Sequence, residues 1–169
     1  MKTAIKTVLI LLVLFTVGWF GYKTVRSIQR KNRAELTTAT IPQFTFQTLA
    51  HQHFSKQSIA DTLGNVVFML FSPDCEHCQY MAQSMVAHKE EIQNTQFIMV
   101  TPFGDSAAVA QFEQTYKLNT LPNVQLLLDE KADFPKTFGA TLTPSFFVYK
   151  NNRLVKNIKG ETKIENLVN

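Results

Sequence analysis

The sequence predicts an α/β fold with a mixed sheet flanked by helices. Two largely apolar runs, Val66–Phe71 and Gln96–Thr101, have the length and composition of central strands buried on both faces. Each is followed by a stretch with helical spacing, which indicates strand–helix–strand units and parallel pairing. Near the carboxyl terminus, two strand-like segments flank Asn151-Asn152, a pair typical of hairpin turns with positive φ.

The remaining elements follow from the periodicity of apolar residues. Phe44 and Phe46 alternate with polar residues, as in a half-buried strand, whereas Met81, Met85 and Ile92 have near-helical spacing. We therefore expect strands at Gln43–Leu49, Val66–Phe71, Gln96–Thr101, Gln125–Leu128, Ser145–Lys150 and Leu154–Ile158. We expect helices at Cys75–Gln93, Asp105–Tyr116, Asp133–Gly139 and Glu161–Val168.

Positive charge is concentrated at the amino terminus. Seven of the 17 Lys and Arg residues precede residue 34, and no acid precedes Glu35. The remainder has ten bases and 13 acids, a net charge of −3, although the whole chain carries +4. A nucleic-acid-binding domain keeps its basic patch on the folded body, so this distribution argues against nucleic acid as a partner.

The basic residues flank an apolar segment at residues 7–22. Its 16 uncharged residues would span roughly 24 Å as a helix, slightly less than the ~30 Å hydrocarbon core. A cleaved signal peptide is the alternative, but no small-residue cleavage site follows. We therefore expect a signal anchor or transmembrane helix at 1–22, a basic tether at 23–40 and one folded domain at 41–169.

The two cysteines of the chain form a C-x-x-C motif, Cys75-Glu76-His77-Cys78, between a predicted strand and a predicted helix. The free N–H groups and the dipole of a helix start favour an anion, which would lower the pKa of a thiol at Cys75. A protonated His77 would add to this effect, and Glu76 would oppose it. Ser72 and Asp74 are candidate N-caps of the helix.

The C-x-x-C motif could also belong to a zinc site, a structural disulfide or a copper site. Structural zinc needs four ligands, and one cysteine pair supplies two. A structural disulfide across so short a loop would stabilise little. Copper binding by Cys75, Cys78 and His77 stays open as the function of a tethered metal carrier.

The segment Phe71–Gln79, which follows a buried strand, resembles the active site of the thioredoxin superfamily. Thr143-Pro144, which precedes the predicted hairpin, resembles the cis-proline loop of that superfamily, and Ile41–Leu49 resembles the extra strand of its redoxin-type, membrane-anchored members. The resemblance implies a thioredoxin-like fold over residues 41–168. It also implies that the Thr143 backbone pairs with substrate and that Pro144 shapes the loop.

The sequence also departs from the family pattern. The acids that accept a proton from the second cysteine in family members are replaced by Met69 and Met81. A peroxiredoxin-like peroxidase is a further alternative, because Ser72 lies three residues before Cys75. The proline of the peroxidase motif is replaced by Phe68, however, and the sequence offers no nearby arginine.

We therefore predict a thiol–disulfide oxidoreductase with Cys75 as nucleophile, Cys78 as resolving cysteine and His77 as an activating residue. It would need no cofactor and no metal. Its partners would be protein thiols or disulfides, a membrane or thioredoxin partner that recharges the pair, and the membrane through residues 7–22. The resemblance implies a bacterial inner-membrane protein with its domain on the periplasmic side, whereas the basic residues after the span favour the cytoplasm.

Overall fold

The computed structural model describes residues 12, 15–26, 37–59 and 64–169 of the chain. The residues from Thr37 to Asn169 form one compact unit, and the described residues before Thr37 belong to a second unit. The unit that begins at Thr37 therefore starts inside the segment 23–40 that the sequence assigns to the tether.

Residue 12 and residues 15–26 are helical, and we label residues 15–26 α1. Their large apolar side chains, including Phe15 and Trp19, are exposed. Among the described residues, no helix is both long enough and apolar enough to cross a membrane. The predicted span includes 7–11, 13 and 14, and the predicted tether includes 27–36, all of which lie outside the described residues.

The unit from Thr37 contains a seven-stranded mixed sheet in the order β2-β1-β5-β4-β3-β6-β7. β3, β4 and β5 are parallel, whereas the other neighbours are antiparallel, which confirms the predicted mixed sheet. The strands are β1 (Thr45–Thr48), β2 (His53–Ser55), β3 (Asn65–Leu70), β4 (Thr95–Thr101), β5 (Val124–Leu128), β6 (Ser145–Lys150) and β7 (Arg153–Lys159).

Helices cover the sheet. They are α2 (Glu76–Ala87), α3 (Lys89–Ile92), α4 (Ser106–Thr115), α5 (Asp133–Phe138) and α6 (Glu165–Val168), with short 3₁₀ turns at Lys56–Ser58 and Leu118–Thr120. The helix predicted at Cys75–Gln93 is interrupted at His88, the residue between α2 and α3 (φ −108°, ψ 32°). The two pieces nevertheless bury the same apolar face.

Successive side chains of a strand point to opposite faces of the sheet, which divides the core into two layers. In β3, Val67 and Met69 point to the layer under α2, whereas Val66 and Phe68 point to the layer under α5. The first layer contains four fully buried methionines: Met69, Met81, Met85 and Met99. The second layer is predominantly aromatic and contains Phe44, Phe46, Phe54, Phe68, Phe134, Phe138, Phe147 and Tyr149.

The chain enters the unit at the edge formed by β7. Thr40 bridges Arg153, and the Tyr149 hydroxyl donates a hydrogen bond to the carbonyl of Thr38 at 3.1 Å. Thr38 is only 2% exposed. Thr37–Thr40 therefore belong to the folded unit through specific contacts.

Candidate active site

The register of the sheet brings two distant loops together. β3 pairs antiparallel with β6, and Leu70 at the end of β3 lies opposite Ser145 at the start of β6. The chain leaves β3 towards Cys75 at the same edge where Thr143 leads into β6. The sheet therefore juxtaposes the C-x-x-C segment and the Thr143–Pro144 loop.

Cys75 is the N-cap residue of α2. Its carbonyl accepts hydrogen bonds from the N–H groups of Cys78 (2.9 Å) and Gln79 (3.0 Å), and its own N–H donates to the Ser72 carbonyl (3.2 Å). The candidate caps Ser72 and Asp74 therefore lie before the cap, because the tight turn at 72–75 delays the helix to Glu76. This correction places the first cysteine directly at the positive end of the helix dipole.

The environment of Cys75 favours its thiolate. Partial burial acts to raise the pKa of Cys75 and is the largest single influence. Hydrogen bonds from the thiol and backbone of Cys78, from the side chain of Thr143 and from the backbone of His77 act in the opposite direction. They outweigh burial, so the pKa of Cys75 lies below its ordinary value.

Cys78 has the opposite environment. Its side chain is completely buried in the layer that also contains Met81. Burial raises the pKa of Cys78 to about 12, and the nearby Cys75 contributes in the same direction. Both cysteines are free thiols, one partly exposed and one buried. The pair thus combines an accessible thiol that ionises readily with a hidden thiol that retains its proton.

The Thr143–Pro144 loop lies against this pair. The Thr143–Pro144 peptide bond is cis, as the resemblance implies. The Cys75 sulfur lies 3.7 Å from the Thr143 carbonyl oxygen, a distance at which a thiol can donate a weak hydrogen bond. The structure therefore places Thr143 beside the first cysteine, with Pro144 following it across the cis bond.

The His77 side chain points to a residue that the sequence analysis did not identify. Its Nδ1 lies 2.9 Å from Oε2 of Glu161, and the two side chains are 66% and 51% exposed. The hydrogen bond and the negative charge of Glu161 raise the pKa of His77. Because Glu161 follows His77 by 84 residues and belongs to no spacing motif, only the tertiary structure reveals the pair.

The alternatives to dithiol chemistry gain no support from the geometry. Within the part of the chain that the structure describes, no group of three or more His, Cys, Asp or Glu side chains is arranged to hold a metal ion. In the sheet register, Arg153 of β7 lies opposite Lys150 at the end of β6. Ser145, which follows Pro144, lies at the start of β6. The folded unit therefore offers no arginine at Cys75 among its described residues, as a peroxidase site would need.

The fold is similar to that of solved thiol–disulfide oxidoreductases. The structure of DsbF from MTB is 21% identical, with a TM-score of 0.62, over 78% of this chain and 92% of that one. A secreted Mycobacterium tuberculosis disulfide oxidoreductase homologous to Escherichia coli DsbE is 22% identical, with a TM-score of 0.59, over 75% and 92%. A putative thiol:disulfide interchange protein DsbE from Chlorobium tepidum is 15% identical, with a TM-score of 0.59, over 76% and 88%.

The fold and these similarities define the chain as a protein with a thioredoxin-like α/β fold. A sequence model of the AhpC/TSA family matches residues 37–158. The chain therefore belongs to the AhpC/TSA family, a redox-related family. None of the curated protein sequences compared with the chain matched it.

Proposed function

We propose that this protein is a thiol–disulfide oxidoreductase that exchanges a dithiol for a disulfide with protein substrates. The observation that carries the proposal is the asymmetry of the pair. Cys75 is partly exposed and has a lowered pKa, whereas Cys78 is buried and has a pKa of about 12. An attacking thiolate and a protected resolving thiol are the two groups that disulfide exchange requires.

In the reducing direction, the Cys75 thiolate attacks one sulfur of a client disulfide. The client S–S bond breaks, a mixed disulfide forms, and the leaving client thiolate takes up a proton. Cys78 then gives up its proton and attacks the Cys75 sulfur, which releases the second client thiol and leaves a Cys75–Cys78 disulfide. Two electrons pass from the pair to the client, and the reverse sequence oxidises a client dithiol.

The Thr143 backbone supports binding of the client in this scheme. Its carbonyl lies at the Cys75 sulfur, so a client strand that pairs with Thr143 would bring its own sulfur to the nucleophile. The dithiol itself carries the electrons, and no cofactor is required. A membrane-bound or thioredoxin-like partner would return the pair to its starting state.

An insulin-reduction assay tests the proposal. With dithiothreitol as the electron source, wild-type protein should accelerate insulin precipitation, and Cys75→Ser should abolish the acceleration. In a separate stoichiometric reaction without dithiothreitol, reduced Cys78→Ser should stop at a mixed disulfide with insulin, which mass spectrometry detects and which later addition of dithiothreitol releases. The matched control is His88→Gln at the other end of α2, which should keep wild-type activity. Wild-type protein no faster than dithiothreitol alone would refute the proposal.

We further propose that residues 7–22 anchor the chain in a bacterial inner membrane, with the domain on the extracytoplasmic side. Lys2 and Lys6 before an apolar segment support a signal anchor, and client disulfides are found outside the cytoplasm. One of the similar structures is also that of a secreted disulfide oxidoreductase. The basic residues after the segment favour the opposite orientation, so topology needs its own test.

A further inference from the structure

The connection between β7 and α6 contacts both halves of the candidate active site. The N–H of Gly160 donates a hydrogen bond to the Pro144 carbonyl at 2.8 Å. The N–H of Thr162 lies 3.5 Å from the Met81 sulfur, which accepts a weak hydrogen bond. Glu161 lies between these two anchored residues. Its backbone is thereby held at the junction of the cis-proline loop and α2.

The Glu161 carboxylate extends from this fixed backbone to His77. The 2.9 Å contact joins Oε2 of Glu161 to Nδ1 of an imidazole in the first turn of α2. His77 is adjacent in sequence to Cys78 and two residues from Cys75, so the carboxylate fixes the orientation of an ionisable ring at the dithiol. The contact at Nδ1 gives the imidazole a defined direction relative to the start of α2.

Glu161 acts on the dithiol electrostatically, by raising the pKa of the His77 ring. The groups whose charges act on the imidazole are Glu161, Cys75 and Glu76, and each acts to raise the pKa of His77. Such coupling is reciprocal, so an imidazolium stabilises the Cys75 thiolate as much as the thiolate stabilises the imidazolium. Glu161 raises the pKa of His77 and so increases the charged fraction of the imidazole near the pH at which an unpaired histidine titrates.

We propose that Glu161 is a positioning residue for the dithiol: through its 2.9 Å contact it holds the His77 ring beside the cysteine pair, and through His77 it sets the reactivity of Cys75. The inference rests on the proposed exchange function and identifies the residue that tunes it. The pH range of the effect follows from the sign of the coupling. Just above the ordinary histidine pKa of about 6.5, a larger fraction of the imidazole is charged with Glu161 than without it. Well below that pH the imidazole is charged in either case, and well above the raised pKa it is neutral in either case.

The test compares Glu161→Gln with wild type in the reduced full-length protein. The readout is the rate of iodoacetamide alkylation at Cys75 between pH 5 and 9, located by mass spectrometry. At pH 7 the rate should fall roughly two- to fivefold, the size expected of one exposed charge interaction. The difference should shrink towards pH 5 and should vanish when both proteins also carry His77→Gln.

A second exposed pair supplies the control. His88 Nδ1 lies 2.8 Å from Oε1 of Glu91 at the far end of α2, and these two side chains are 43% and 47% exposed. Glu91→Gln should leave the alkylation profile unchanged, which separates a local effect from a general effect of lost charge.

Two outcomes overturn the inference. One is an alkylation profile of Glu161→Gln identical to wild type, and the other is an effect that persists without His77. Neither measurement uses a client protein, so failure here is distinct from failure of the proposed function, which would appear as a wild-type protein without insulin-reductase activity.

Discussion

The Cys75 sulfur and the Thr143 carbonyl oxygen lie 3.7 Å apart, although 68 residues separate them in the chain. The pairing of β3 with β6 produces this proximity, because Leu70 and Ser145 face each other at the same edge of the sheet. The nucleophile and the backbone that would bind the client are therefore fixed by one strand pair. Their relative position depends on the sheet more than on either loop.

The two thiols should differ strongly in accessibility and acidity. We expect iodoacetamide at pH 6 to label Cys75 in the reduced protein at least about tenfold faster than Cys78, because only Cys75 combines exposure with a lowered pKa. Peptide mapping of the adduct measures the ratio. Unfolding in urea should equalise the rates, and preferential labelling of Cys78 in the folded protein would contradict the assignment.

The backbone N–H of His77 lowers the pKa of Cys75, and the charge of Cys75 raises the pKa of the His77 ring, so we expect the ring to stabilise the thiolate in return. His77→Gln removes the ring and should lower the reduction potential of the pair by roughly 5–20 mV, because the reduced thiolate form loses an attractive charge. His77→Pro also removes the N–H and should lower the potential further. Equilibration with glutathione redox buffers at pH 7 measures both values.

The two variants test different parts of this interpretation. An unchanged or raised potential in His77→Gln would contradict the role of the ring. Equal potentials in His77→Gln and His77→Pro would contradict the role of the N–H.

Tyr149 should make the stability of the domain sensitive to alkali. Burial raises the pKa of Tyr149, so the folded state favours the neutral phenol. This contribution is complete below the unfolded-state pKa near 10 and is lost as the pH rises above it. Tyr149→Phe should lower the free energy of unfolding by about 1 kcal/mol at pH 7, because the Thr38 carbonyl loses its donor. Above about pH 10, however, its stability should decline less steeply than that of wild type.

Urea unfolding followed by circular dichroism measures both effects. The control is Tyr80→Phe, at a residue that is 54% exposed. It should follow the wild-type curve. A Tyr149→Phe curve parallel to wild type above pH 10 would contradict the predicted effect of burial.

The proposed topology predicts the behaviour of reporter fusions. Alkaline phosphatase fused after Asn169 should be active, because that enzyme folds only after export to an oxidising compartment. A cytoplasmic reporter at the same position should be inactive. The opposite pattern would indicate a membrane-bound cytoplasmic reductase and would agree with the basic residues that follow the apolar segment.

The sequence predicted the central strands and the hairpin because local patterns determine both. Burial on both faces requires a continuous apolar run, and β3, β4 and β6 lie within one residue of their predicted bounds. The hairpin turn was also predictable, since Asn151 and Asn152 both adopt the positive φ that such a turn requires.

Other features depend on tertiary contacts that no local pattern records. β2 has three residues and buries only Phe54, too short a segment for alternation to be visible. The break at His88 was hidden because Met85 and Ile92 maintain helical spacing across it. The contact of Glu161 with His77 arises only because the chain after β7 contacts Pro144 through Gly160 and α2 through Thr162.

The four buried methionines in the layer under α2 give the protein a built-in reporter of opening. Thioethers oxidise to sulfoxides when peroxide reaches them, whereas phenylalanine rings resist this reagent. Met69, Met81, Met85 and Met99 are completely shielded in the folded state. The rate of sulfoxide formation in dilute peroxide should therefore report how often the layer under α2 opens to solvent. The aromatic layer on the other face of the sheet contributes no sulfoxide signal.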